Sequence, residues 1–143
     1  MYEGGLRTPM VVRWPGRIKQ GSESDLVWYF PDVLPTFAEL AGTKVPEEID
    51  GVSVLPTLLG KSQDLGDRFL YWEFFERGYQ QAVRWKDWKA IRVAPGKKLE
   101  LYDLSKDIGE KTNAFLQVFW QAFEMKPENW FDIVYLPSFG IGS

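Results

Sequence analysis

Apolar and aromatic positions along this chain fall into short runs set apart by glycine, proline and polar residues, and the spacing inside each run predicts its element. Between residues 69 and 103 four such runs follow one another: Phe69–Phe75, Gln80–Trp85, Trp88–Val93 and Leu99–Asp103. Each is rich in aromatic and β-branched residues. The turn signals Arg77-Gly78, Lys86-Asp87 and Ala94-Pro95-Gly96-Lys97 separate them. That pattern predicts an antiparallel meander of four strands. Further upstream, Val33, Leu34, Phe37, Leu40 and Ala41 recur at the spacing of one helix face, which predicts a helix over 31–41. Pro31 suits its first turn and Gly42 its C-terminal cap, and Pro35 moves the expected start nearer Leu34. Residues 9–14, Pro9-Met10-Val11-Val12-Arg13-Trp14, form an apolar run with little alternation, closed by Pro15-Gly16. This reads as a strand buried on both faces. Residues 43–68 read as a long connection with one helical turn at Val54–Leu59. Residues 114–126 are apolar nearly all round and precede Pro127, which predicts a second helix.

Composition narrows the chemistry. The 143 residues include no His and no Cys. The chain therefore offers no imidazole base, no His metal ligand, no thiolate nucleophile and no disulfide. With 45% hydrophobic and 26% charged residues it reads as a folded domain. The 17 basic and 20 acidic residues give a net charge of −3, which argues against a nucleic-acid partner. No run of about 18 apolar residues is present, so no membrane-spanning helix is expected. Met1-Tyr2-Glu3-Gly4-Gly5 lacks the basic start and apolar stretch of a signal peptide, and localisation stays unassigned.

Four motifs occur in order. Glu3-Gly4-Gly5-Leu6-Arg7-Thr8-Pro9 with Val11-Val12-Arg13-Trp14-Pro15-Gly16 resembles the E-G-G-x-R-x-P…W-P-G stretch of the type I sulfatases, arylsulfatase-like enzymes of the alkaline phosphatase superfamily. Asp32-Val33-Leu34-Pro35-Thr36 with Leu40-Ala41-Gly42 is similar to the family's D-x-x-P-T-x-x-x-L-A-G helix. Asp50-Gly51-Val52-Ser53-Val54-Leu55-Pro56 is similar to its D-G-x-S-x-x-P loop. Leu101-Tyr102-Asp103-Leu104, with Asp107 and Gly109-Glu110, is similar to its L-Y-D-L-x-x-D-P-x-E turn, with Ile108 where the family commonly has proline.

The resemblance implies the C-terminal portion of an α/β sulfatase fold, an α+β arrangement. It comprises a small four-stranded antiparallel sheet with a packed C-terminal helix, plus a strand and a helix from the edge of the large domain. The expected divisions are 1–68, the end of the large α/β domain; 69–126, the sheet subdomain with its helix; and 127–143, a divergent tail. The family's C/S-x-P-x-R motif, source of the formylglycine nucleophile, is not found in these residues, and neither are its calcium ligands. Calcium and formylglycine are thus implied for the parent enzyme, and no cofactor or metal site is expected within this chain. The reading frame is expected to begin inside a sulfatase gene and, from 114 on, to carry a frameshifted or foreign tail.

The expected function is that of a sulfuric ester hydrolase's C-terminal part, which packs against the catalytic domain, borders the substrate cleft and is inert alone. The alternative is a non-enzymatic binding or oligomerisation module with an aromatic sheet face. The expected partners are the N-terminal sulfatase domain and further copies of the chain, as a homo-oligomer.

No catalytic residue is assigned. Phe75, Glu76, Arg77 and Gln80, at the tip of the first hairpin, are the candidate substrate contacts of the parent, or simply a hairpin tip. Glu3, Gly4, Gly5, Arg7 and Pro9 are read as structural. Arg7 is expected to pair with a buried carboxylate and the two glycines to supply positive φ. Arg7 and Arg13 also have the planar donors that suit sulfate. Trp72, Trp85 and Trp88 form either a sugar-stacking platform or a packing face. Glu47, Glu48 and Asp50, and likewise Asp103, Asp107 and Glu110, are read as solvated turns rather than acid–base or metal sites.

Overall fold

The computed structural model describes residues 1–76 and 78–118. Helix α1 (Glu3–Leu6) comes first. A 3₁₀ turn (Phe30–Asp32) then leads into α2 (Val33–Ala41), followed by α3 (Leu55–Leu58). The strands β1 (Phe69–Phe74), β2 (Gln80–Trp85), β3 (Trp88–Arg92) and β4 (Glu100–Asp103) form one antiparallel sheet in the order β1-β2-β3-β4. The four runs of the sequence became these four strands, β2 with the same bounds and the other three shorter by one residue at one end. The chain divides into two units: Met1–Arg7 with the chain from Tyr71 on, and Thr8–Leu70. The first seven residues thus belong with the sheet rather than with the expected 1–68 segment. No helix among the described residues is long and apolar enough to cross a membrane.

In the sheet unit, strand alternation places one residue in two on a buried face. Ala82, Ile91, Tyr102 and Leu104 form the core, with Met1, Trp72 and Val93 packed against it. The register sets Ala82 opposite Ile91 and Trp85 opposite Trp88. Lys86-Asp87 closes the β2–β3 hairpin with Lys86 in the left-handed region (φ 54°), the conformation a two-residue hairpin loop demands. The free side of β4 is used as well. The Leu101 N–H donates to Asn113 Oδ1 (3.1 Å), and the Leu101 carbonyl accepts from Ala114 N–H (2.7 Å). Asn113 Oδ1 also accepts Phe115 N–H at 2.9 Å, capping a helical turn over 115–118. The rest of the helix expected over 114–126, and the tail 127–143, lie outside the described residues.

In the second unit, α2 starts where its prolines allow. Pro31 and Pro35 both fall in first-turn positions, where a missing N–H costs no hydrogen bond. Gly42 ends the helix in the left-handed conformation (φ 65°). The fully buried Asp32 carboxylate organises the surroundings. It accepts N–H donors from Tyr29 (3.0 Å) and Val52 (2.9 Å), and both guanidinium nitrogens of Arg68 (2.6 and 2.7 Å). Thr36 Oγ1 donates to the Asp32 carbonyl (2.6 Å) and accepts Val54 N–H (3.0 Å), joining α2 to the approach of α3. At Gly51 a Cβ would stand 2.0 Å from the Pro31 carbonyl oxygen, so only glycine fits.

One expectation fails. Residues 9–14 form no strand, and every one of them is exposed, Val11 to 92%. A strand exists only through a neighbour that completes its ladder, and none pairs with this run among the described residues. Several apolar side chains of the same unit are also open to solvent, among them Phe30 (86%), Phe37 (63%) and Leu34 (55%).

Candidate functional site

The β1–β2 hairpin carries the most organised exposed cluster. Tyr71 and Glu73 are two apart on β1 and share a face, and Gln81 lies on the facing part of β2. The Tyr71 and Tyr79 hydroxyls both donate to Glu73 Oε1. The Gln81 amide donates to the same oxygen (3.3 Å), to Tyr71 Oη (2.6 Å) and to Tyr79 Oη (3.1 Å). Glu73 is exposed, yet the hydrogen bonds from Tyr71 and Tyr79 hold its carboxyl below the usual carboxylate range, so it is ionised at neutral pH. The reciprocal hydrogen bond from the phenol pushes Tyr79 up to about 12. The Phe75 ring, 67% exposed, rests against Tyr79 with centroids 5.2 Å apart.

Of the hairpin-tip candidates, Phe75 joins this cluster through Tyr79. Glu76 is exposed and forms an isolated bridge with Gly78. Gln80 is half-buried at the start of β2, and Arg77 lies outside the described residues. The candidates read from the sequence do not include Tyr71, Glu73, Tyr79 or Gln81. The available signal was the period-two spacing 71, 73 and 79, 81, which puts polar groups of adjacent strands on one face.

The glutamate of the first motif has a different environment. Glu3 is buried, and its carboxylate takes Lys89 Nζ at 2.8 Å and Arg84 at 3.7 Å. Lys89 is fully buried and also contacts Glu110 Oε1 at 2.8 Å, an ionic contact outside hydrogen-bond geometry. Glu110 Oε2 in turn accepts Glu3 N–H at 2.5 Å. This cluster fastens the N-terminal turn onto the sheet. Lys89, not Arg7, is therefore the partner of the buried carboxylate. Arg7 is exposed. Gly4 and Gly5 lie within α1 without positive φ, and a Cβ on either would meet nothing within 4 Å, so they do not supply a tight turn. Pro9 and Arg13 lie in the exposed run 9–14.

The three tryptophans do not make one platform. Trp72 packs on the buried core, while Trp85 and Trp88 pair across β2 and β3 on the opposite face. Glu3 and Glu110 share Lys89, Asp32 is held by Arg68, and Asp103 by Lys106 at 2.8 Å. Asp107 accepts the N–H groups of Lys111 and Thr112, both at 2.7 Å. No group of three or more His, Cys, Asp or Glu among the described residues is arranged to hold a metal.

The family model for the C-terminal region of N-sulphoglucosamine sulphohydrolase matches residues 1–129. The chain belongs to this sulfatase family. The match runs past Asn113, where the four motifs end, into the stretch expected to be foreign. An N-acetylglucosamine-6-O-sulfatase of Bacteroides thetaiotaomicron is 32% identical over 124 residues, covering 80% of this chain and 22% of the relative. Human steryl-sulfatase is 39% identical over 102 residues, or 66% of this chain and 17% of the relative. An ulvan-active sulfatase of Formosa agariphila is 51% identical over 63 residues, 44% of this chain and 13% of its own length. A protein solved in complex with its substrate D-glucosamine-2-N,6-O-disulfate superposes with a TM-score of 0.65 at 28% identity, covering 78% of this chain and 24% of that one. A 2-O GAG sulfatase gives a TM-score of 0.54 at 33% identity, with 65% of this chain and 21% of its own covered. The sulfatase domain thus spans about a fifth of the length of the relatives it matches.

Proposed function

We propose that this sulfatase domain works as part of a sulfuric ester hydrolase acting on a sulfated sugar, where it packs against the catalytic portion and borders the substrate cleft. The observation that carries this reading is the uncovered apolar surface of the Thr8–Leu70 unit. Val11, Phe30, Leu34 and Phe37 are each more than half exposed there. At about 25 cal/mol per Å² such side chains represent several kcal/mol of unused burial, and exposed apolar side chains in this number favour an interface. The family supplies a partner of matching role, because the relatives extend far beyond the matched region. The two relatives named for sugar or glycosaminoglycan sulfates, and the glucosamine disulfate bound by the superposed structure, favour a sugar as the substrate class.

Formylglycine and calcium chemistry belongs to that other portion, and the residues here bind and position only. By itself the chain is expected to leave an aryl sulfate intact in the presence of calcium, and to self-associate through the apolar surface. Light scattering at micromolar concentration checks the second point. A dispersed monomer whose size is unaffected by Phe30→Ser and Phe37→Ser would contradict the interface. Turnover of aryl sulfate by the pure chain would contradict the division of labour.

A further inference from the structure

We propose that Glu73, held by Tyr71, Tyr79 and Gln81, forms with the Phe75 ring a subsite for an uncharged, hydroxyl-bearing sugar ring. The proposal rests on the reading of the chain as part of a sugar sulfatase and names what one of its surfaces recognises.

The cluster is poorly explained as a stabilising device. Hydrogen bonds among exposed side chains contribute little, because water competes for the same groups, and ordering four side chains costs rotamer entropy. Its geometry makes sense as preorganisation. Three donors converge on Glu73 Oε1 and fix the carboxylate plane. Glu73 Oε2 receives no hydrogen bond from any described residue, and the side chain is exposed. A fixed, ionised acceptor of this kind suits the hydroxyl groups of a sugar, which donate in charge-assisted bonds. The exposed Phe75 ring, set against Tyr79, offers an apolar surface of the sort that the C–H face of a pyranose covers.

Charge selects the ring. Among the described residues no cation belongs to the cluster, so its carboxylate repels a sulfate or a uronate; Arg92 stands opposite Gln81 in the β2–β3 register. The ring seated here is therefore an unsulfated one, adjoining the ester that the catalytic portion would cleave.

The test is titration of the full chain, followed by amide chemical shifts, with N-acetylglucosamine, glucosamine and N-acetylglucosamine 6-sulfate. The expected result is saturable binding of N-acetylglucosamine that shifts residues around 71–81. Glu73→Ala should weaken it about tenfold, the loss of a charged acceptor. Tyr79→Phe should weaken it to a smaller extent, because the ring stays and Tyr71 and Gln81 still donate to Glu73. The 6-sulfate should bind no better than the uncharged sugar. No saturable binding, binding indifferent to Glu73→Ala, or binding of glucosamine alone would overturn the proposal, the last by showing an ammonium site. Because the deciding outcomes are read with unsulfated sugars and nothing is turned over, they leave the sulfatase reading untouched. That reading stands or falls on hydrolysis by a reconstituted enzyme.

Discussion

The buried lysine is the most consequential single residue. Lys89 lies fully buried between Glu3 and Glu110, each contact 2.8 Å long. Removing it leaves two carboxylates facing each other out of water. Lys89→Met is expected to cost about 3–5 kcal/mol, the usual cost of breaking a buried ion pair from one side. Urea denaturation measures it. The double variant Lys89→Met with Glu110→Gln should recover part of the loss, since one uncompensated charge is then gone.

A second residue-scale effect concerns alkaline pH. Tyr2 donates to Glu100 Oε2 at 2.6 Å, and Tyr102 donates to the same oxygen at 2.8 Å. The hydrogen bond to Glu100 pushes Tyr2 up to about 12, and burial followed by the same carboxylate pushes Tyr102 higher. The folded value lies above the unfolded value of 10.0, so the stabilisation is complete below pH 10 and is lost as pH climbs towards 12. Tyrosinate absorbance followed beside circular dichroism should show this loss across that window. In Tyr2→Phe the dependence should be shallower, and an unchanged profile would contradict the assignment.

At the scale of elements, the junction between β4 and the following turn depends on one amide. Asn113 Oδ1 serves both Leu101 N–H and Phe115 N–H. Asn113→Ala should cost about 1 kcal/mol as a lost cap, seen as faster hydrogen exchange at Leu101 and Phe115. The elements themselves were largely legible in the sequence. Aromatic and β-branched runs between turn signals marked β1 to β4, and helical spacing with Pro31 and Gly42 marked α2, because in both cases the pattern is local. The run 9–14 was legible only as an intention: its composition is that of a central strand, but a strand is completed by neighbours, which local pattern does not supply. The motif residues divide in the same way. Asp32, Thr36 and Gly51 were visible as a motif, yet their reasons lie in contacts across 18 to 36 residues. The Glu73 cluster escaped notice because it depends on register between β1 and β2, while the hairpin tip draws attention by being a turn.

On the scale of the whole molecule, the two units differ in how completely they close. The sheet unit has a continuous core, a buried ion cluster and a covered edge at β4. The Thr8–Leu70 unit has a well-tied centre around Asp32 but presents large apolar side chains to solvent. The absence of His and Cys acquires its meaning here. It holds for a chain that spans 17% and 22% of the length of two relatives it matches.

The measurement that tests this account most directly is turnover by a chimera. Residues 1–143 would replace the matching C-terminal segment of the Bacteroides thetaiotaomicron N-acetylglucosamine-6-O-sulfatase, and hydrolysis of N-acetylglucosamine 6-sulfate would be followed beside the same enzyme truncated before the graft. The account predicts a soluble chimera whose turnover clearly exceeds that of the truncated form. A folded chimera no more active than the truncated enzyme would contradict it.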